Sequence, residues 1–555
     1  QYNVAIGGAS MSAIESAYNN VAVGYQAGHD ITSGYRNTLV GYQAGYDIES
    51  ALDNTLIGQQ AGANITTGPR NTIMGSYAGD ALTTADGVVA IGYAALGAGA
   101  GASYDVAIGY EAHSAGTSAG VFIGLQAGAN FAGAGTFVGK EAGEGATEAY
   151  AVLIGEEAGK NSATNHTVAI GHGSAISADA TKSQFMGSYA GGTWSGNNST
   201  VIGYQAGYSG TNTTQNDNIA IGYQSMLGGN YSVSNLSNVA MGVAALKFAS
   251  GSSYNVAVGY GAMFAADQTS TQTVAVGYKA LSGATGTEGT VAIGHLAAKA
   301  LTTGDHNIAI GKSAMLGNTT TNYNVSIGSE TMQLVGADSS TAIGYYSMNA
   351  HSGDNNVGLG AYSLRKGTGA YNVGIGVSAM TNVSGGTGGV AIGYQSGYHP
   401  TGNYNTWVGY NAGFGQAGAS AEQNVGVGRE TMMNISSGDK NTALGYHAGK
   451  GITTSEGNTF VGHQAGFGED TGPYNTIVGY NAYTGSSGGT ENVAMGVQAM
   501  RDNTSGDYNT AIGTNALFKN TTTSANVAIG RRSMFTSTTA EQNVAVGYHT
   551  LYDLT

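Results

Sequence analysis

The chain has 555 residues, 94 of them Gly, and only 9% charged against an ordinary charged share of about 25%, a balance that excludes a string of conventional enzyme domains. Hydrophobic residues reach 41%, so the low charge is not the signature of disorder, and a core of small side chains can form. A formal charge of −15, with 18 Lys and Arg spread thinly, argues against nucleic acid or an anionic membrane as partner, and no stretch approaches the roughly 18 apolar residues of a spanning helix. Cys is absent, which removes disulfide staples. The first residues form no basic and then apolar leader, and Gln1 is not an initiator Met. The expectation is a processed form or an excerpt whose attachment module lies outside it.

From the N-terminus onward the sequence repeats. The glycine of Asn3-Val4-Ala5-Ile6-Gly7 returns as Gly24, Gly41, Gly58, Gly75, Gly92 and Gly109 in steps of 17 residues, and the unit continues to Gly547, giving 33 pivot glycines. That period is half or less of what helix-pair repeats need, so the reading is a β-solenoid, an all-β parallel β-roll. Coils of 17 residues fill 1–109, shorter variants fill 110–203, spacing is irregular over 204–428, and 17-residue coils return over 429–555; together they form one continuous solenoid with coils of 15–20 residues. Stacked at the inter-strand distance, 33 coils would make a rod about 160 Å long.

Each unit carries a short strand. The residue before the pivot is Ile, Val, Leu or Met in every copy, from Ile6 to Val546, and is expected in the core. On that reading Ile91→Asp buries a charge. The intervening residue (Ala5, Ala22, Ala257, Ala545) then forms an apolar outer face. With both faces apolar, the strand should be covered on two sides, as parallel strands usually are. Three residues after the pivot stands Ala, Ser or Thr in all 33 copies, a sign of close backbone approach. The next position is either Gly (Gly28, Gly45) or a long apolar residue (Met226, Met263, Leu281, Met315). The long residues read as gap-filling plugs, the glycines as tighter corners. Four residues before the pivot, Asn fills 21 of 33 copies, among them Asn20, Asn37, Asn54, Asn71, Asn441, Asn458 and Asn475. Stacked amides there predict a hydrogen-bonded ladder at a corner, broken between Val88 and Ser199.

The Asn-Val-Ala-Ile-Gly unit, with its following small residue, resembles the head repeat of the YadA-like trimeric autotransporter adhesins, a repeat also familiar from phage tail fibres; close versions stand at 37–45, 441–449 and 458–466. The resemblance covers the whole chain. It implies coils of two short strands, a left-handed roll, and a homotrimer packed about a threefold axis.

Motifs for chemistry dissolve into the repeat. The 11 His residues, His29, His113, His172, His295, His447 and His463 among them, show no zinc-protease spacing and read as solvated. Gly311-Lys312-Ser313 lacks the upstream Gly of a phosphate loop, and Ser396 sits at the obligatory small position rather than on a nucleophile elbow. Loop carboxylates such as Asp30, Asp47, Asp53 and Asp86 could take calcium, but the Gly-Gly-x-Gly-x-Asp nonapeptide is absent. No catalytic residue, cofactor or metal is expected. Tyr follows the pivot in 14 copies, including Tyr25, Tyr42, Tyr93, Tyr110, Tyr204, Tyr223, Tyr260, Tyr278, Tyr394 and Tyr410. This row should face water, either stacking between coils or contacting glycans.

The expected function is a non-enzymatic extracellular fibre shaft for attachment or adhesion, on a virion or a bacterial surface. Its partners would be copies of itself, with a cell-surface glycan or protein receptor possible. The alternatives are a structural filament assembling end to end and a glycan-binding module using the Tyr row.

Overall fold

The computed structural model describes residues 2–98, 103–115, 117–147, 149–208, 215–228, 235–265, 269–334, 336–468, 472–485 and 487–553. Among them there is no helix; the fold is an all-β parallel β-solenoid. The chain divides into two compact units, Gln1–Lys279 and Ala280–Thr555. Each is a stack of coils with one pivot strand per repeat, 17 in the first unit and 16 in the second. Strands pair in parallel and without slippage, as in Val21↔Thr38, Ala22↔Leu39 and Val23↔Val40. A second strand per coil, implied by the resemblance, is confined among the described residues to Ala163–Asn165 with Asp179–Thr181 and Ala350–His351 with Lys366–Gly367.

The pivot is glycine for two reasons that act together. Its φ lies near +140°, as at Gly41, where L side chains are strained. A Cβ there would also stand 2.3 Å from the carbonyl oxygen of Gly58, the next pivot. Here the chain leaves the strand, and consecutive coils touch backbone to backbone.

The strand faces are the reverse of the sequence expectation. The middle residue points inward: Ala22, Leu39, Leu56 and Ala257 are fully buried. The residue before the pivot points outward and is half-buried or exposed, as at Ile6, Ile91, Met74 and Met241. The expected outer face of Ala5, Ala22, Ala257 and Ala545 is therefore interior lining, except that Ala5 in the first coil is itself exposed. Alternation alone cannot orient a strand whose two faces are both apolar. Closure of the coil decides it: the middle residue packs inward on the small residue three after the pivot (Ala27, Ala44, Ala61, all buried), and β-branched residues fit the open outer face.

Core volume is held nearly constant by an exchange between two positions. Where the residue four after the pivot is Met, as at Met263, Met315 and Met348, the middle strand residue of that coil is Ala257, Ala309 or Ala342. Where it is Gly, a large side chain takes the space: a Cβ on Gly28 would lie 2.6 Å from Leu39 Cδ1 and 2.7 Å from Ile31 Cδ1. Trp407 lies over Gly397, Gly413 and Gly426, and Trp194 over Gly207. The glycine copies do not make a tighter corner; Gly28 (φ +58°) and Met263 (φ +50°) share one left-handed conformation. Glycine is there for room.

Two side-chain ladders run along the stack in opposite senses. Asn20, Asn37, Asn54 and Asn71 are buried, and each Oδ1 accepts the backbone N–H of the Asn one coil on (Asn37 N to Asn20 Oδ1, 2.9 Å; Asn54 N to Asn37 Oδ1, 3.0 Å; Asn71 N to Asn54 Oδ1, 2.9 Å). Asn441, Asn458 and Asn475 do the same. The left-handed corner falls on the residue just before these Asn, at Asn19, Arg36, Asp53 and Arg70, so Asn is chosen for its amide and not for the turn. Six residues before the pivot a second ladder runs backwards. Asp305, Asp338 and Asp354 each accept, through Oδ1, the N–H of Glu288, Asn322 and Asp338 in the preceding coil, at 2.7–2.9 Å.

Candidate functional site

The outer faces of the strands line up into a ribbon along each unit. Its two residues per coil are Val, Ile, Leu, Met or Thr at every coil but one, and none is charged. Ile123, Met186, Met241, Ile293, Ile343, Leu444 and Met495 on it are exposed. Soluble chains rarely leave so long an apolar face in water, and parallel sheets are ordinarily covered on both faces.

Tyrosines stand at the ends of many of these strands. Those just after the pivot are about half exposed, and the ten singled out above form five stacked pairs across neighbouring coils. Ring centroids lie 5.6 Å apart for Tyr25–Tyr42, 5.1 Å for Tyr93–Tyr110, 5.5 Å for Tyr204–Tyr223, 5.4 Å for Tyr260–Tyr278 and 5.2 Å for Tyr394–Tyr410, with planes 12–16° apart. The column continues where Tyr is replaced: the Arg429 guanidinium lies 5.5 Å from the Tyr410 ring and 5.7 Å from the Tyr446 ring, and His463 stacks between Tyr446 and Tyr480. Each paired ring gives one face to its neighbour, which removes part of the surface a sugar ring would stack on. A further row lies five residues before the pivot, where Tyr104, Tyr323, Tyr371, Tyr404 and Tyr474 are more exposed still, at 55–68%. In the sequence these tyrosines stand at the end of the polar loop that precedes each strand, as Tyr323 follows Asn322.

Three of the four loop carboxylates have protein partners. Asp53 pairs with Arg36 (2.8 Å) and Asp86 with Arg70 (2.8 Å), while Asp30 meets the ring of His29. Burial, with Asp30 and Glu49 nearby, raises the pKa of Asp47 above the ordinary carboxylate range. Among the described residues no cluster of His, Asp and Glu is arranged to hold a metal. Ser396 is buried and donates to the Trp407 carbonyl (2.9 Å). A surface notch of about 320 Å³ is lined by Thr319, Thr320, Leu334 and Asp338, and the carboxylate of Asp338 is engaged by the N–H of Asn322.

Not every histidine is solvated. His113, His351 and His447 are buried. His113 takes the plug position four after the pivot. Its Nδ1 lies 2.8 Å from Asp105 Oδ2 and its Nε2 3.2 Å from the Phe131 carbonyl, and its ring stacks on Phe122. Asp105 holds the ladder position, and its other oxygen accepts the N–H of Gly120. At this one coil of the gap in the Asn ladder, a buried His113–Asp105 hydrogen bond ties the ladder position to the plug. His351 lies in the interior of its coil and accepts the N–H of Gly353; burial pulls its pKa from the usual value of about 6.5 down to about 4. The unfolded chain therefore takes up a proton first as pH falls. Stability from this site is complete above pH 6.5 and is lost as pH drops towards 4, by at most about 3 kcal/mol. Hydrogen exchange at Val357–Leu359 should accelerate over that window, and His351→Leu should remove the dependence.

No family model matches the sequence, and comparison with curated proteins found no match.

Proposed function

We propose that the chain is the shaft of a non-enzymatic extracellular fibre, of the tail-fibre or surface-adhesin kind, in which copies pack side by side through the uncharged ribbon. The resemblance of the repeat supplies the number of copies, three, and a left-handed winding. The observation that carries the reading is the ribbon itself. In a unit of 17 strands it offers a strip about 80 Å by 10 Å, close to the roughly 800 Å² per partner of a stable protein interface. Tyrosine at its margins and the absence of charge along it are the composition of such an interface. The two aromatic rows and the polar loops remain at the margins and the far side, where a receptor could be met.

The test is the assembly state and what disrupts it. Light scattering should give three times the 55.6 kDa chain mass. Ile123→Asp and Met241→Asp, both at exposed ribbon positions, should dissociate the assembly while the circular dichroism of the sheet is retained. A soluble, folded single chain from the unmodified sequence would count against the proposal.

A further inference from the structure

We infer that Gln184 fixes the register between copies of the chain, by pairing its side-chain amide with that of Gln184 in the neighbouring copy. The inference rests on the side-by-side reading above. Among the ribbon positions Gln184 is the one residue that is neither aliphatic nor Thr. It opens the strand Gln184–Met186, between Val168–Ile170 and Thr200–Ile202, opposite Val168 on one side and Thr200 on the other. It is exposed, as is Met186 beside it, whereas Phe185 between them is buried. No hydrogen bond holds its side chain within the chain, among the described residues.

The ribbon is otherwise nearly uniform along its length. Copies displaced by one coil would bury almost the same apolar surface, so apolar burial discriminates poorly between registers. A primary amide changes that, because it carries donors and acceptors and is complementary to itself. Covered by a second ribbon, it loses its water and needs a partner. Parallel copies in step bring Gln184 to Gln184. A slip of one coil sets it against Val168 on one side and the single hydroxyl of Thr200 on the other, so the two-bond amide pair is lost and one amide faces only an aliphatic side chain. A single polar residue sets register in the same way within the seam of a coiled coil.

Because the chain has no Cys, disulfide trapping can read the register. Thr200 and Ile219 are ribbon neighbours on adjacent coils. Chains bearing Thr200→Cys or Ile219→Cys, distinguished by mass tags, are co-assembled and oxidised. A disulfide needs Cα atoms about 4.4–6.8 Å apart, and adjacent coils are about 4.8 Å apart, so a one-coil slip changes which pair can close. With Gln184 present, matched disulfides should dominate. Gln184→Val should raise the mixed 200–219 species about fivefold or more, with assembly mass and thermal melting unchanged because the side chain lies outside the core. If the Gln184→Val assembly keeps the parent ratio of matched to mixed species, the register inference is overturned and self-association stands. If the parent protein sediments as a single chain, both fall.

Discussion

Replacing His113 by Met should lower the stability of the first unit by about 3–5 kcal/mol, and adding Asp105→Asn should return most of that loss. Both ring nitrogens of His113 lie against oxygen atoms, Nδ1 against the Asp105 carboxyl and Nε2 against the Phe131 carbonyl, and neither side chain is exposed. Removing only the imidazole strands a carboxylate in the core, the costly way to break such a pair. The double variant instead installs the combination seen at Asn255 and Met263 or Asn307 and Met315, an Asn in the ladder and a Met plug. Asp105→Asn alone should be mild, because the new amide can donate to Nδ1 of a neutral ring that still donates to Phe131. The measurement is a double-mutant cycle followed by hydrogen exchange at Val89–Ile91, Val106–Ile108 and Val121–Ile123. Equal losses from His113→Met in the presence and absence of Asp105 would show that the two groups are not coupled.

Gly41→Ala should be about as damaging, at about 3–5 kcal/mol. Two penalties coincide there: a φ of +140° and a Cβ 2.3 Å from a backbone oxygen of the next coil. Neither can relax by a side-chain rotation, because the atom in the way is main chain. Gly8→Ala is the control. The nearest atoms to a Cβ at Gly8 are those of the Tyr25 ring, at 3.2 Å and beyond, and a loss under about 1 kcal/mol is expected. Denaturant midpoints of the two variants against the parent provide the comparison.

The coil was legible because glycine recurs wherever backbone meets backbone, and the Asn ladder because one amide per coil stands at a fixed distance from that glycine. The orientation of the strand was not. Val4, Ala5 and Ile6 are all apolar, and what decides, the inward packing of the middle residue, is a property of the closed coil rather than of any one repeat. The interchange between Met263 and Ala257 on one hand and Gly28 and Leu39 on the other was visible as two classes of corner. Its meaning needed the contact between Leu39 and the space over Gly28, across coils. The buried histidines are hidden for a similar reason: His113 occupies a plug position that mostly holds Gly, Met or Leu, and its partner Asp105 stands where the Asn of the ladder is interrupted. The backward ladder through Asp305, Asp338 and Asp354 carried a signal, acidic or amide residues six before the pivot, beyond the stretch over which the repeat was aligned. The Tyr column faces outward and stacks between coils, one of the two arrangements its sequence position allows; which rings pair depends on which successive coils carry Tyr.

The sharing of core space between neighbours has a consequence for the order of the coils. Gly28 and Gly397 each depend on a bulky residue in the coil that follows, Leu39 and Trp407. Deleting the repeat that carries Leu39 would bring Leu56 into its place, and the interior would stay filled. Deleting the repeat that carries Trp407 would bring Gly426 there instead, and the space over Gly397 would be left as a void that a protein interior tolerates poorly. The coils look interchangeable in their outer sequence, yet some, such as those of Gly28 and Gly397, are fitted to their successor. Gain or loss of repeats can therefore change the length of the stack freely at some junctions and only with loss of stability at others.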